Sequence, residues 1–213
     1  MKRSPKWPLI DAAGLATVIT AMHWRIRDLS TKSRDVSNFD EIVLLGSGNV
    51  HVDLAGFESL VIEADDNLLP ILTSEGINGR RELGSSAPYA SRSPITYTIT
   101  AANLTRVEIS GSGTVAVSTL SGHDFTADIS GSGTIEPSGS CNALDVNISG
   151  SGGFRGANLL CTSGIVSVSG SGEALANVSD DLSVNISGSG NVEYVGDPSL
   201  TLNISGSGSV AHR

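Results

Sequence analysis

The sequence predicts an all-β protein, a single-stranded parallel β-helix (solenoid) of about seven short coils. The tripeptide Gly-Ser-Gly begins at seven positions, and the last six are spaced by 20, 19, 20, 18 and 18 residues. A flexible Gly/Ser linker would show no fixed spacing. Aromatic residues make up only 4% of the chain, so small aliphatic side chains must fill the core. Such a core suits a thin structure better than a broad sandwich.

The first glycine of each tripeptide is the predicted corner of a coil. In the regular array, residues 101–213, these structural glycines are Gly111, Gly131, Gly150, Gly170, Gly188 and Gly206. Glycine tolerates positive φ, and its missing Cβ lets neighbouring corners approach closely. The residue two positions before each of them is always a β-branched aliphatic. This ladder consists of Ile109, Ile129, Ile148, Val168, Ile186 and Ile204. Because one repeat is too short to enclose a core, the coils must stack so that these side chains form a buried column.

The irregular first half of the domain, residues 34–100, contains the pattern once and then departs from it. Residues 39–52 predict the first coil, since they carry aliphatics on both sides of Gly46-Ser47-Gly48. The elements predicted after it are a strand over 58–64, a capped helical turn over 65–72, a loop over 84–94 and a strand over 95–100.

Charge separates an N-terminal extension, residues 1–33, from the domain, residues 34–213. Residues 1–35 carry seven Lys or Arg and three acidic residues, whereas residues 36–213 carry six Arg and nineteen acidic residues. The net charge of the second segment is therefore near −13. A surface so poor in cations does not neutralise phosphates, which argues against a nucleic-acid partner and against docking on anionic lipid.

The extension itself resembles an export signal. A basic start, Met1-Lys2-Arg3, precedes an apolar stretch over residues 9–21, as in a signal peptide. Asp11 interrupts that stretch, which is also too short to predict a firm membrane span. Export is the favoured interpretation, with an amphipathic membrane-proximal helix and an ordinary soluble extension as alternatives.

Two cysteines occupy equivalent places in successive repeats. Cys141 and Cys161 each lie nine residues before their corner glycine, so they should stack on adjacent rungs within reach of a disulfide. A bridge in an exported chain and two reduced core thiols remain equally open alternatives, because buried cysteine packs as a small hydrophobe.

The pattern offers little chemistry for metal binding or catalysis. Glu108 and Asp128 share one outward position on successive coils, where they would repel each other or share a cation, and they are the weak metal candidate. The same column continues as Asn147 and Ser167, which supplies few charged ligands. Polysaccharide lyases need clustered acids and a basic residue, and hydrolases need paired carboxylates across a groove. No such set is apparent, so the sequence predicts neither a catalytic residue nor a cofactor.

Four segments follow one another in a distinctive order: an early Gly-Ser-Gly-Asn-Val, then residues 61–69 (VIEADDNLL), then residues 94–99 (PITYTI), then the serial Ile-Ser-Gly-Ser-Gly units. This order resembles the putative auto-transporter adhesin head GIN domain family. It implies a right-handed parallel β-helix in bacterial envelope proteins, located in the periplasm, at the outer membrane or on the cell surface. It carries no catalytic residue over to this chain.

Three functions follow as hypotheses. The first is a non-enzymatic binding or adhesive module for a surface glycan or protein, the second a purely structural or assembly module, and the third a carbohydrate-active enzyme. Fold alone does not distinguish them. The last coil, ending at Val210 and Arg213, presents open backbone groups, which predicts self-association through that rung.

Overall fold

The computed structural model describes residues 28–213, and all regular secondary structure in that range is β-strand. The strands are β1 (Leu29–Arg34), β2 (Glu41–Gly46), β3 (Asn49–Leu54), β4 (Ser59–Asp65), β5 (Leu72–Ile77), β6 (Arg80–Ser85), β7 (Thr96–Ala101), β8 (Arg106–Gly111), β9 (Thr114–Gly131), β10 (Thr134–Gly150), β11 (Gly153–Gly170), β12 (Glu173–Gly188), β13 (Asn191–Val195), β14 (Ser199–Gly206) and β15 (Ser209–His212). The predicted export segment falls on residues 1–27, outside the described residues.

The regular repeats stack in parallel, with equivalent residues of successive coils directly opposite each other. In the register, Ile109 lies opposite Ile129, and the column continues through Ile148 in β10 to Ile204 in β14. Its first five members are at most 2% exposed, which confirms the predicted core ladder and the β-helix fold. Ile204 is 43% exposed, because β14 pairs only with β12 among the described strands.

The number of coils is lower than predicted. Seven corners do stack, since Gly46 lies opposite Gly111 and the other corners follow in order. However, the chain winds about five full coils, between Gly111 and Gly206. The segment after the first corner runs into non-repeating strands instead of completing a coil, and counting corners therefore overestimates the coils.

Antiparallel strands close the N-terminal end of the stack. β7 continues the parallel wall beyond β3, and then β4 adds to β7 and β1 adds to β4, both antiparallel. On the neighbouring wall, β6 pairs parallel with β2, and β5 returns antiparallel along β6. This end of the core is therefore covered, and Leu68, Leu69 and Leu72 are buried there.

The predicted helical turn over residues 65–72 forms as a single turn and does not continue into a helix. The segment makes consecutive turns, in which Leu68 N–H donates to the Asp65 carbonyl at 2.8 Å and Ile71 N–H to the Leu68 carbonyl at 2.9 Å. One further bond, from Leu72 N–H to the Leu68 carbonyl at 3.0 Å, closes a single helical-type turn that β5 at once ends. A lone turn is too short to propagate a helix.

In the six corners of the regular array, close packing between rungs makes both glycines of each Gly-Ser-Gly necessary. Gly150, the first glycine of its corner, has φ +126°, and a Cβ there would lie 2.5 Å from the carbonyl oxygen of Gly131 in the rung below. That oxygen accepts the Ser151 N–H at 2.9 Å, so the rungs cannot move apart without losing the bond. The second glycine, Gly152, packs onto the core instead, where a Cβ would lie 2.4 Å from Cγ2 of Ile129.

A disulfide joins adjacent rungs in the middle of the stack. Cys141 in β10 lies opposite Cys161 in β11, with the two Cα atoms 4.5 Å apart, and the two sulfurs are bonded. Both side chains are at most 5% exposed. Of the two alternatives that the sequence left open, the structure has the bridge. A disulfide persists in an oxidising compartment such as the periplasm or the cell exterior.

Removing this bridge is expected to lower the free energy of unfolding by about 3 kcal/mol, because the cross-link closes a loop of about twenty residues in the unfolded chain. The double substitution Cys141→Ala, Cys161→Ala, compared with the oxidised parent by urea denaturation, measures the effect. Reductant should destabilise the parent and leave the double variant unchanged. Two free thiols per chain in the denatured, unreduced parent would contradict the bridge.

Candidate binding surface

Two outward surfaces run along the solenoid, one on each side of the Gly-Ser-Gly corners. The first, which we call the ladder face, is the column three residues before the corner glycine. Its members are Glu108, Asp128, Asn147, Ser167, Asn185 and Asn203. The second surface lies on the strands that follow the corners. It forms a groove parallel to the solenoid axis, from Ala116 to Ala211, which we call the axial groove.

On the ladder face, the two carboxylates of the weak metal candidate are each held by an arginine. Arg80 donates to Glu108 at 2.6 Å and also lies 3.4 Å from Glu41, while Arg106 lies 2.6 Å from Asp128. These charges relieve the repulsion that the column alone would produce. Within residues 28–213, no group of three or more His, Cys, Asp or Glu side chains is placed to hold a metal ion.

Farther along the ladder face, amide side chains bond from rung to rung. The Asn147 amide donates to Asp128 at 3.2 Å, and the Asn203 amide donates to Asn185 at 3.0 Å. Beside them, the face forms a shallow depression of about 400 Å³. Four of the six side chains of the ladder face bond to one another in this way, and Glu108 bonds to Arg80, so the ladder face is better suited to holding rungs in register than to binding a ligand.

The axial groove is the larger feature, with a volume of about 1170 Å³. It extends from Ala116 to Ala211, across six stacked strands, or about 24 Å at ~4.8 Å per rung. Compact small-molecule pockets rarely exceed about 1,000 Å³. A long, open groove of this size fits an extended chain better than a compact ligand.

Small polar side chains and a few charges line the groove. Serines of the corners, including Ser132, Ser151 and Ser171, form one side, and the floor carries the outward residues of the following strands. Its charged members are Glu136, Arg155, Glu173, Glu193 and Arg213. Arg155 donates to Glu136 at 2.7 Å from a side chain that is 70% exposed, and Arg213 lies 3.6 Å from Glu193. Both pairs are open to exchange partners with a ligand.

Sequence reasoning overlooked this groove, although the signal for it was present. The groove residues recur at the third and fifth positions after the corner glycine, as Glu173 and Arg155 illustrate. These positions vary in residue type from repeat to repeat, so they carry no repeated motif. Only the stacking of the repeats shows that they share one concave surface.

The arrangement can offer hydrogen bonds and ion pairs to a polar chain. Serine hydroxyls donate and accept, carboxylates accept, and guanidinium groups donate in a planar fork. The groove lining contains no histidine, cysteine or lysine among the described residues, and its only titratable side chains are the Glu and Arg residues already named. No helix able to cross a membrane occurs in residues 28–213.

Comparisons with known proteins agree with the fold. The family model for "Putative auto-transporter adhesin, head GIN domain" matches residues 38–198. The crystal structure of a putative adhesin from Bacteroides fragilis is similar, with a TM-score of 0.71 at 19% identity, over 88% of this chain and 98% of that one. A putative lipid binding protein from Parabacteroides distasonis has a TM-score of 0.55 at 19% identity, over 87% and 97% of the two chains. No curated protein matches the sequence.

Proposed function

Since this chain belongs to the family of putative auto-transporter adhesin head GIN domains, we propose that it is a non-catalytic binding module of the cell envelope or surface whose axial groove holds a glycan chain. The family points to the surface or envelope as the location. The disulfide between Cys141 and Cys161 supports the same placement, since such bonds persist outside the reducing cytoplasm.

The observation that carries the proposal is the length and polarity of the axial groove. A glycan is an extended chain of hydroxyl groups, and the groove presents serine, glutamate and arginine side chains over about 24 Å. Small apolar surfaces, such as Ala116 and Leu175, lie between them and can contact the C–H faces of sugar rings. The net charge of −9 favours a neutral glycan over a polyanionic one.

Two other functions are less well supported by the geometry. A lipid ligand, the kind that the name of the Parabacteroides distasonis protein indicates for that protein, requires a deep apolar cavity. The axial groove is instead open and mostly polar. A purely structural role does not need a groove. If the axial groove binds no ligand, the structural role is the better explanation of this fold.

The experiment is a glycan array probed with the oxidised full chain and with the double variant Glu136→Ala, Arg155→Ala. Removing both members of the exposed pair leaves no unpaired charge, so the fold should persist. We expect the variant to bind its best glycan at least about tenfold more weakly, because a hydrogen bond to a charged group contributes about 1.5–3 kcal/mol.

A matched control is the double variant Arg106→Ala, Asp128→Ala. It removes an ion pair on the ladder face in which the two side chains lie 2.6 Å apart. This variant should bind glycans like the parent. Thermal melting of both variants checks that the groove variant is folded. Absence of binding to any glycan, or an equal loss in both variants, would overturn the proposal.

A further inference from the structure

The outermost rung of the solenoid exposes a row of core side chains. Three of the nine large hydrophobic residues that are exposed in residues 28–213 lie on β14, namely Leu200, Leu202 and Ile204, each 40–45% exposed. Their equivalents one rung below, such as Val184 and Ile186, are at most 2% exposed. The burial that the ladder provides elsewhere is therefore incomplete at this rung.

The backbone of β14 is open on the same side. β14 pairs with β12 and with no other described strand, and all eight of its residues are exposed. About half of its N–H and C=O groups therefore point away from the stack. Natural edge strands are usually protected by charges, proline or a bulge. Ser199–Gly206 contains no charged residue and no proline.

The order of side chains along β14 is symmetric about Leu202. One position away on either side are the polar residues Thr201 and Asn203, and two positions away are Leu200 and Ile204. If two copies of this strand pair antiparallel about Leu202, Leu202 faces its own copy and Leu200 faces Ile204 of the other chain. Thr201 then faces Asn203, so every apolar residue meets an apolar residue.

We propose that β14 pairs with β14 of a second copy of this chain, forming an antiparallel two-fold dimer centred on Leu202. A two-fold interface requires a self-complementary surface, and the symmetric side-chain order supplies one.

Charge supports a second copy as the occupant. The chain has a net charge of −9, which opposes association of two copies in most orientations. β14 carries no Asp, Glu, Lys or Arg, so two copies can meet along this strand without charge repulsion. Antiparallel addition is also how the opposite end is closed, where β4 covers β7 and β1 covers β4.

A cysteine placed at the symmetry axis tests the register directly. Directly opposite residues of antiparallel strands have Cβ atoms about 4.5–5.5 Å apart, close enough for a disulfide after small shifts. Under mild oxidation, Leu202→Cys should form covalent dimers with itself. Leu200→Cys and Ile204→Cys should cross-link to each other when mixed and only weakly when alone.

The matched control is Ile165→Cys, an exposed aliphatic position on β11, whose two edges are both paired. It should form no covalent dimer under the same oxidation. Sedimentation of the full chain over a range of concentrations provides the second measurement. Leu202→Lys should raise the dimer dissociation constant at least about tenfold, since like charges would meet at the axis, whereas Ile165→Lys should not.

A parent that stays monomeric at every concentration, or equal cross-linking of Ile165→Cys, would overturn the proposal. Efficient self-cross-linking of Leu200→Cys would overturn the register.

Discussion

Replacing Ile148 by aspartate is expected to unfold most of the solenoid. Ile148 is 2% exposed and lies between Ile129 and Val168 in the core column. The substitution removes the packing of a buried aliphatic, about 2–5 kcal/mol. It also buries a carboxylate that has no partner, which costs several kcal/mol more or forces the group to take up a proton. The sum is comparable with the whole stability of a domain, about 5–15 kcal/mol. Circular dichroism and denaturant titration measure the loss.

The same substitution at the end of the same column is its control. Ile204 has the same position in its repeat, but it is 43% exposed in the single chain, so in dilute, monomeric protein Ile204→Asp leaves the new carboxylate in water. Its stability should fall by no more than about 1 kcal/mol, as for a surface change. If Ile148→Asp melts at the temperature of the parent, the core position of Ile148 is wrong.

Adding one methyl group at a corner should have the second largest effect. In Gly150→Ala the new Cβ would lie 2.5 Å from the carbonyl oxygen of Gly131, at a residue whose φ is +126°. Backbone strain at such a φ costs about 1–3 kcal/mol, and overpacking costs about 1–3 kcal/mol more. We expect a loss of about 3 kcal/mol or more in the free energy of unfolding, measured by urea denaturation.

Gly122→Ala separates the two causes of that loss. Gly122 also has positive φ, +68°, but a Cβ there has no neighbour within 4 Å. The free energy of unfolding of this variant should fall only by the cost of the left-handed conformation, about 1 kcal/mol. Equal losses at Gly122 and Gly150 would mean that φ alone, and not the contact between rungs, makes glycine necessary at the corners.

The regular part of the fold could be predicted from sequence because every repeat places its aliphatic residues in the same phase relative to the corner glycine. A side chain such as Val168 is assigned to the core by its phase relative to Gly170, and the neighbouring repeats give the same answer independently. The register then follows, since a shift by one residue would expose the whole aliphatic column. The stacked position of Cys141 and Cys161 was predictable for the same reason.

Contacts made by single, non-repeating segments could not be predicted in this way. The partner of Glu108 is Arg80, 28 residues away, and it arrives on β6, which lies outside the repeat. The antiparallel closure by β1 and β4 has no counterpart in the array either. The axial groove escaped prediction because its shape comes from side chains at positions that change in every coil. Ile204 was placed in the core by its phase relative to Gly206, yet it is exposed. The repeat pattern does not show that no described strand pairs with the other edge of β14.

The disulfide has a mechanical consequence for a chain pulled from its C-terminal end. Each coil hydrogen-bonds only to its neighbouring coils, so tension would peel the rungs one after another from β15 inwards. When peeling reaches Cys161, the load passes through the sulfur bridge to Cys141 and bypasses the segment between them. That segment, about 66–72 Å when extended at 3.3–3.6 Å per residue, carries no load until the bond is reduced. An oxidised solenoid is therefore shorter under load than a reduced one, and its extensibility is set by the redox state of its surroundings.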